Sequence, residues 1–291
     1  MVYFYVNIVM ADSILLRVDK QFVQHPKTIT TLILGDSHSQ FDIDPSGFGN
    51  SFNFASANGS PIHNYYKLKY VVDHGYQVQN VILPLDFHTF SSAYFDEPAN
   101  SWYWKKYIDF NEFNSYFRDP VSAKLKNYFD RYVPYFGQRE HFIHFLDPKK
   151  KDRKISDGFI PVFEHKDKAA LQKSAQERVA LHYQGKEIFS DVLLGYFKKT
   201  LALCQRADIQ CVLVRFPVSE SYFNLTKEFV NEGNFDTIVN KLLSDFKGVP
   251  VLDFRREFFG ATEYFSDADH LNSEGALEFS KILNDKLKRT K

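Results

Sequence analysis

The 291-residue chain has only two cysteines, Cys204 and Cys211, and no surplus of charge: 36 Lys and Arg balance 36 Asp and Glu. One cysteine falls near the end of an expected helix and the other in an expected strand. A disulfide and two buried free thiols are both open, and neither fixes the compartment. A net charge of zero supplies no basic surface, so nucleic acid is not an expected partner. The apolar start, residues 1–10 and on through Leu16 with Asp12 interrupting, is shorter than the roughly 20 residues that a membrane-spanning helix needs. It also lacks the basic start and small-residue cleavage site of a signal peptide. Two readings of residues 1–26 stand side by side. One is the end of a membrane anchor, implying membrane contact and a place in the cell envelope. The other is an amphipathic helix packed on the domain, which leaves a cytoplasmic location open. There is no P-loop and no dinucleotide-binding glycine fingerprint. No His or Cys cluster has metal-ligand spacing, so neither metal nor cofactor is expected. Repeats and low-complexity tracts are missing, and nothing sets the oligomeric state.

Aromatic residues are plentiful, with 30 Phe and 17 Tyr making up most of a 17% aromatic content. With 44% hydrophobic residues, an ordinary core is affordable. The aromatic excess suggests broad aromatic packing and a surface that faces carbohydrate or lipid.

Five short apolar runs read as strands of a parallel sheet: 31–34, 51–55, 80–85, 210–215 and 250–253. Helical patterns lie between them. One covers 61–74, with Pro61 in its first turn and Gly75 just beyond its end. Another covers 186–206, a third covers 221–246 with a break near Gly233, and the last starts at Asn272 or Ser273. Strands alternating with helices imply an α/β domain whose parallel sheet is covered on both faces, with right-handed crossovers. Between 91 and 185 the pattern breaks. The stretch is crowded with aromatics, Trp102, Tyr103, Trp104, Tyr107, Phe110, Phe113, Tyr116 and Phe117 among them. It carries Pro120, Pro134, Pro148 and Pro161, and the lysine run 149–151 marks an exposed loop. It reads as a partly helical insertion after the third strand within a domain covering 27–291, placed either as a lid or substrate wall near the ligand edge or as a packing subdomain. Trp102 and Trp104 are candidates for stacking on sugar rings, with burial the alternative.

Chemistry concentrates at two places. Leu32-Ile33-Leu34 runs into Gly35-Asp36-Ser37, which puts one serine at the C-terminal end of a strand, where open α/β sheets bind ligands. Near the other terminus stands Asp267-Ala268-Asp269-His270. A serine needs a base to take its proton and a carboxylate to orient that base. Asp267 and His270 are three residues apart, close enough for one tight turn to pair them. Asp269 competes with Asp267 for that role.

The two motifs together resemble the SGNH (GDSL-like) hydrolase superfamily, which begins with a Gly-Asp-Ser block and ends with an Asp-x-x-His block. The likeness extends over about 30–90 and 186–288. It implies a three-layer, flavodoxin-like sheet of five parallel strands. It implies Ser37 as nucleophile, His270 as general base and Asp267 as the residue that orients it, with Asp36 tightening the nucleophile turn. It also implies oxyanion donors: the Ser37 N–H, and a glycine N–H from the loop after strand two. Gly59 is the match there, with Asn58 beside it as a substitute side-chain donor. The family's third block carries an asparagine that this chain lacks; Leu85-Asp86-Phe87-His88 stands there instead. Asp86 and His88 are then either site-lining residues or a structural pair, and Arg215 is either an anchor for an anionic substrate group or a salt-bridged arginine. The departure is similar to the branch of cell-envelope polysaccharide O-acetyltransferase-like proteins, which includes the alginate O-acetyltransferase-like proteins. The resemblance thus implies serine-dependent acyl transfer, as an O-acyl esterase or O-acetyltransferase acting on an acylated small molecule or glycan. The alternative is a non-catalytic glycan-binding or assembly protein that keeps the fold.

Overall fold

The structure, a computed structural model, describes residues 5–11, 13–95, 100–116, 120–133, 135 and 154–289. Helix α1 (Ile14–Gln24) leads into β1 (Thr28–Ile33), followed by α2 (Ser37–Asp42), β2 (Phe52–Asn53), α3 (Pro61–Asp73) and β3 (Gln77–Pro84). Next come α4 (Ser101–Trp104), α5 (Phe110–Asn114), α6 (Pro120–Tyr132), α7 (Lys168–Tyr183) and α8 (Asp191–Arg206). The chain ends with β4 (Gln210–Arg215), α9 (Glu220–Thr226), α10 (Glu232–Leu243), β5 (Val251–Asp253) and α11 (Ser273–Arg289).

The five strands form one sheet in the order β2-β1-β3-β4-β5, and every pairing is parallel. The runs that build it are rich in Ile, Val, Leu and Thr, the residues that fit a pleat buried on both faces. Leu32, Val81, Leu83 and Leu213 face one core, shared with Leu68 and Val71 of α3 and Leu193 and Phe197 of α8. Ile33, Ile82, Val212 and Val214 face the other, shared with Ala276, Phe279 and Leu283 of α11. The period of two in the strands thus splits the apolar residues between two helical layers.

Strand order reverses at β1, which has β2 on one side and β3 on the other. The C-terminal ends of β1 and β3 therefore flank the crevice where sheets of this order bind ligands. Ser37 follows β1 there, and Asp86 and His88 follow β3.

Several expected boundaries shift for local reasons. Gly185 at φ +67° lies just beyond α7, a helix within the stretch expected to be partly helical, and α8 then starts only after Ser190. The break expected near Gly233 falls before it, because the Asn231 side chain caps α10 by accepting from the Asn234 N–H. The two cysteines are free and buried. Near the N-terminus, Tyr5–Val9 form one π-helical turn, and α1 buries Val18 and Phe22, whose ring stacks on Phe54 at 4.1 Å. Among the described residues, no helix is long and apolar enough to cross a membrane. The lysine run 149–151, with Pro134, Pro148 and Phe117, lies outside the described residues.

One buried cation ties the crowded aromatics to the sheet. Lys67 is 1% exposed, donates to the Phe54 carbonyl (2.7 Å) and Ser56 Oγ (2.5 Å), and sits 4.3 Å above the Phe54 ring and 5.4 Å from the Trp104 ring. Burial pushes its pKa from 10.5 down to about 7, against the partly offsetting charge of Asp19. Between those two values the unfolded chain holds a proton that the folded protein does not, so stability rises with pH across that window. Thermal melts from pH 7 to pH 10 are expected to show that rise (roughly neutral to alkaline, by the linkage relation). Lys67→Met should flatten it, and equal slopes in the two proteins would refute the assignment.

Candidate active site

The turn that carries Ser37 is built on a glycine. Gly35 has φ +146°, and a Cβ there would lie 2.1 Å from Ser39 Oγ and 2.9 Å from Pro84 Cδ. Only glycine fits both the dihedral and the space. Asp36 then caps α2, its Oδ1 accepting from the His38 N–H at 3.1 Å. Ser37 opens the helix and is half-buried, whereas residues 31–36 and 38–40 are all buried. Ser37 is thus the residue of this turn that reaches solvent.

The candidate base, His270, comes from the turn before α11. Asp267 Oδ1 accepts from the backbone N–H groups of Asp269 (3.1 Å) and His270 (2.9 Å), which locks the carboxylate beneath the imidazole. His270 Nδ1 donates to Asp267 Oδ2 at 2.9 Å, and Ser37 Oγ donates to His270 Nε2 at 2.8 Å. Ser37, His270 and Asp267 are therefore joined in one hydrogen-bonded line across 233 positions of sequence.

Behind this line lies a dense buried network that the sequence did not announce. His38 points inward with Nδ1 3.0 Å from Asp86 Oδ2 and Nε2 3.4 Å from Asp269 Oδ2. Asp86 Oδ1 accepts from the Phe216 N–H at 2.8 Å, linking the ends of β3 and β4. Asp36 Oδ2 accepts from His88 Nε2 (3.0 Å) and Tyr94 OH (2.8 Å). Asp269 is fully buried and is gripped by Arg178 of α7, Nε to Oδ1 at 2.7 Å and Nη2 to Oδ2 at 2.9 Å. His182, one turn further along α7, stacks on His88 with ring centroids 4.4 Å apart and bonds Tyr222 OH at 2.8 Å.

The electrostatics follow from these partners. Burial alone would drive a proton off His38, but the bonds to Asp269 and Asp86 outweigh it and hold its pKa well above the usual histidine value. Burial would raise Asp36, yet the bond to His88 and the charges of His88 and His38 hold it below the usual carboxylate range. Burial would likewise raise Asp269, yet the Arg178 guanidinium and the His38 bond hold it well below that range. His182 goes the other way: burial, reinforced by His88, keeps it neutral.

The structure relocates several residues singled out from sequence. The Gly59 N–H donates to the Ser56 carbonyl at 2.7 Å, so it is taken up within its own turn rather than aimed at an oxyanion. What demands glycine there is space: a Cβ would lie 2.5 Å from the Gly35 carbonyl oxygen. Asn58 takes the left-handed position of that turn at φ 61° and is exposed. Asp86 and His88 lie in the network behind the nucleophile. Arg215 is 6% exposed and spans Asp236 and Asp253, so it is a salt-bridged arginine and not a substrate anchor. Trp102 and Trp104 are each 3% exposed and belong to the core, which removes them as sugar-stacking platforms.

No His cluster was expected from spacing, yet among the described residues two groups bring donor atoms within 4.8 Å of one another: Asp36, His38 and His88, and His38, Asp269 and His270. Spacing missed them because the histidines come from three separate strand ends and turns. We assign them no metal, since their donor atoms already bond one another or Ser37: each nitrogen of His38 faces a carboxylate, His88 Nε2 holds Asp36, and His270 bridges Asp267 and Ser37. His38, Arg178, His182 and Tyr94 were not predicted. Only the histidine directly after Ser37 carried a local signal.

Residues 2–287 match the family model described as "Protein of unknown function (DUF1574)". The chain belongs to this family. No curated protein matches the DUF1574 chain. A solved structure described as "a putative platelet activating factor from Streptococcus pneumonia" is similar at 13% identity and a TM-score of 0.40, over 95% of this chain and 92% of that one.

Proposed function

We propose that this protein is a serine acyl-transfer enzyme of the SGNH (GDSL-like) type, working through an acyl-enzyme at Ser37. The observation that carries this reading is the line from Ser37 Oγ to His270 Nε2 (2.8 Å) and from His270 Nδ1 to Asp267 (2.9 Å). In the first half-reaction Ser37 Oγ attacks the acyl carbonyl carbon while His270 Nε2 takes its proton. Asp267 steadies the imidazolium that forms. The tetrahedral intermediate collapses, the C–O bond to the leaving alcohol breaks, and His270 returns the proton to that oxygen. In the second half, His270 deprotonates water or an acceptor hydroxyl, which attacks the acyl carbon; the bond from that carbon to Ser37 Oγ breaks, and His270 returns the proton to Oγ. The Ser37 N–H begins a helix and has no partner within it, which suits it to the developing oxyanion. An O-acyl ester, carried on a small molecule or a glycan, is the substrate class. The segment from 91 to 185 is the insertion of this reading, joined to the site through Arg178 and His182.

One observation favours the non-catalytic reading. The Gly59 N–H is already bonded, and Asp86, two residues beyond β3, accepts rather than donates. Incubation with p-nitrophenyl acetate and intact-mass measurement separates the two. An acetyl adduct on the wild-type protein that disappears on turnover supports the enzyme. A folded protein that forms no adduct and releases no p-nitrophenol with any ester tried supports the binding role.

A further inference from the structure

His270 Nδ1 has two carboxylates within reach. Asp267 bonds it at 2.9 Å, and Asp269 Oδ1 stands only 3.7 Å away. An Nδ1–H makes one strong bond, so a second carboxylate at that distance is a rival. A fully buried carboxylate without a cation is also costly, and it turns toward whatever donor is near. Asp269 does not turn, because its oxygens are already occupied. Arg178 takes both in a parallel fork, the strongest geometry a guanidinium offers a carboxylate. His38 Nε2 approaches Oδ2 from another side, while His38 Nδ1 meets Asp86. A neutral imidazole carries one N–H, and an ionised carboxylate accepts only. A ring with a carboxylate on each nitrogen is therefore an imidazolium, a fixed cation directly after the nucleophile. Its ring lies edge-on to His270, with centroids 5.0 Å apart.

We propose that Arg178 and His38 are positioning residues: together they hold Asp269 away from His270, so that Asp267 alone orients the base. This rests on the acyl-transfer reading for its consequence in catalysis, and on the geometry alone for the bridge. It also gives α7 a role. The helix reaches the site from the segment between β3 and β4 and selects which of two carboxylates, two residues apart, serves the triad.

The diagnostic result is a rescue. In Arg178→Leu, Asp269 is released and competes for His270 Nδ1. The rate at which a fluorophosphonate labels Ser37 is expected to fall about tenfold or more, as the loss of an oriented base implies. Adding Asp269→Asn removes the rival charge, and the double variant should recover most of that loss. Arg178→Lys, which keeps the charge without the fork, should fall between them and serves if the leucine variant does not fold. A double variant as slow as the single one, or an Arg178→Leu protein that labels at the wild-type rate, overturns the proposal.

Imidazole 15N and 1H NMR gives a readout that needs no turnover. His38 should be protonated on both nitrogens in the wild type. The His270 Nδ1 proton should move in Arg178→Leu and return in the double variant. If the wild type resists the fluorophosphonate altogether, the acyl-transfer reading fails and these spectra alone decide the bridge. A His38 with one protonated nitrogen, or a His270 proton indifferent to Arg178, refutes it.

Discussion

Ser37→Ala is expected to abolish the acetyl adduct and to lower ester turnover by about four orders of magnitude or more, the scale on which a triad serine contributes. The hydroxyl is the proton donor to His270 Nε2, and an alanine leaves no atom to carry the acyl group. His270→Ala should cost about as much, because serine without its base is a weak nucleophile. The double variant should be no worse than either single one, since residues that act as a unit are strongly non-additive. Asp267→Asn should retain the fold and lose about 10⁴-fold, by presenting an N–H to His270 and favouring the wrong tautomer. Initial rates with p-nitrophenyl acetate, together with intact mass, measure all four. Turnover in Ser37→Ala at the wild-type rate would eliminate Ser37 as the nucleophile. Equal turnover in Asp267→Asn would pass the orienting role to Asp269 and contradict the assignment made to Arg178.

The largest expected loss of stability lies one layer deeper. Asp86 is 4% exposed, accepts from His38 Nδ1, and accepts from the Phe216 N–H where β4 ends. Asp86→Ala deletes both acceptors at once. It leaves the buried His38 cation with Asp269 alone and an amide N–H with nothing. Breaking a buried pair in this way costs about 3–5 kcal/mol, because the surviving partner keeps its desolvation penalty. For a chain of this length that corresponds to a fall in melting temperature on the order of 10 °C. Asp86→Asn, which keeps an oxygen for one of the two donors, should lie between. Calorimetric melts at neutral pH test the series. An alanine variant as stable as the wild type would mean that His38 is not held as a cation by this carboxylate.

The fold was largely legible because its signals are local. The strand at 210–215 coincides with β4, and the helix expected over 61–74 is α3, ending one residue earlier. Pro61 and Gly75 punctuate it from within the sequence itself. Gly35-Asp36-Ser37 was legible for the same reason, since the turn's dihedral, its cap and its candidate nucleophile are three consecutive residues. The Asp267–His270 pair was legible because a three-residue turn brings the two together with no help from the rest of the chain. The boundaries that moved, at Ser190 and Asn231, were decided by which capping side chain found a backbone N–H. Gly59 was read correctly as a glycine that matters but for the wrong cause. Its constraint is the Gly35 carbonyl, 24 positions away in sequence and visible only once β1 and β2 are paired.

The sequence by itself determined that this is a parallel α/β chain with a serine at the end of the first strand and a paired aspartate and histidine before the last helix. Each of those rests on periodicity, on turn chemistry or on residues a few positions apart. Only the tertiary structure decided that Ser37 and His270 meet, and that Arg178, His38 and Asp86 stand behind them. It also turned Arg215 and the two tryptophans from candidate substrate contacts into buried structure. The physical reason is common to all of these. Burial removes water as the alternative partner, so each charged or polar side chain must be satisfied by another, and the fold chooses that partner from segments that the sequence keeps far apart.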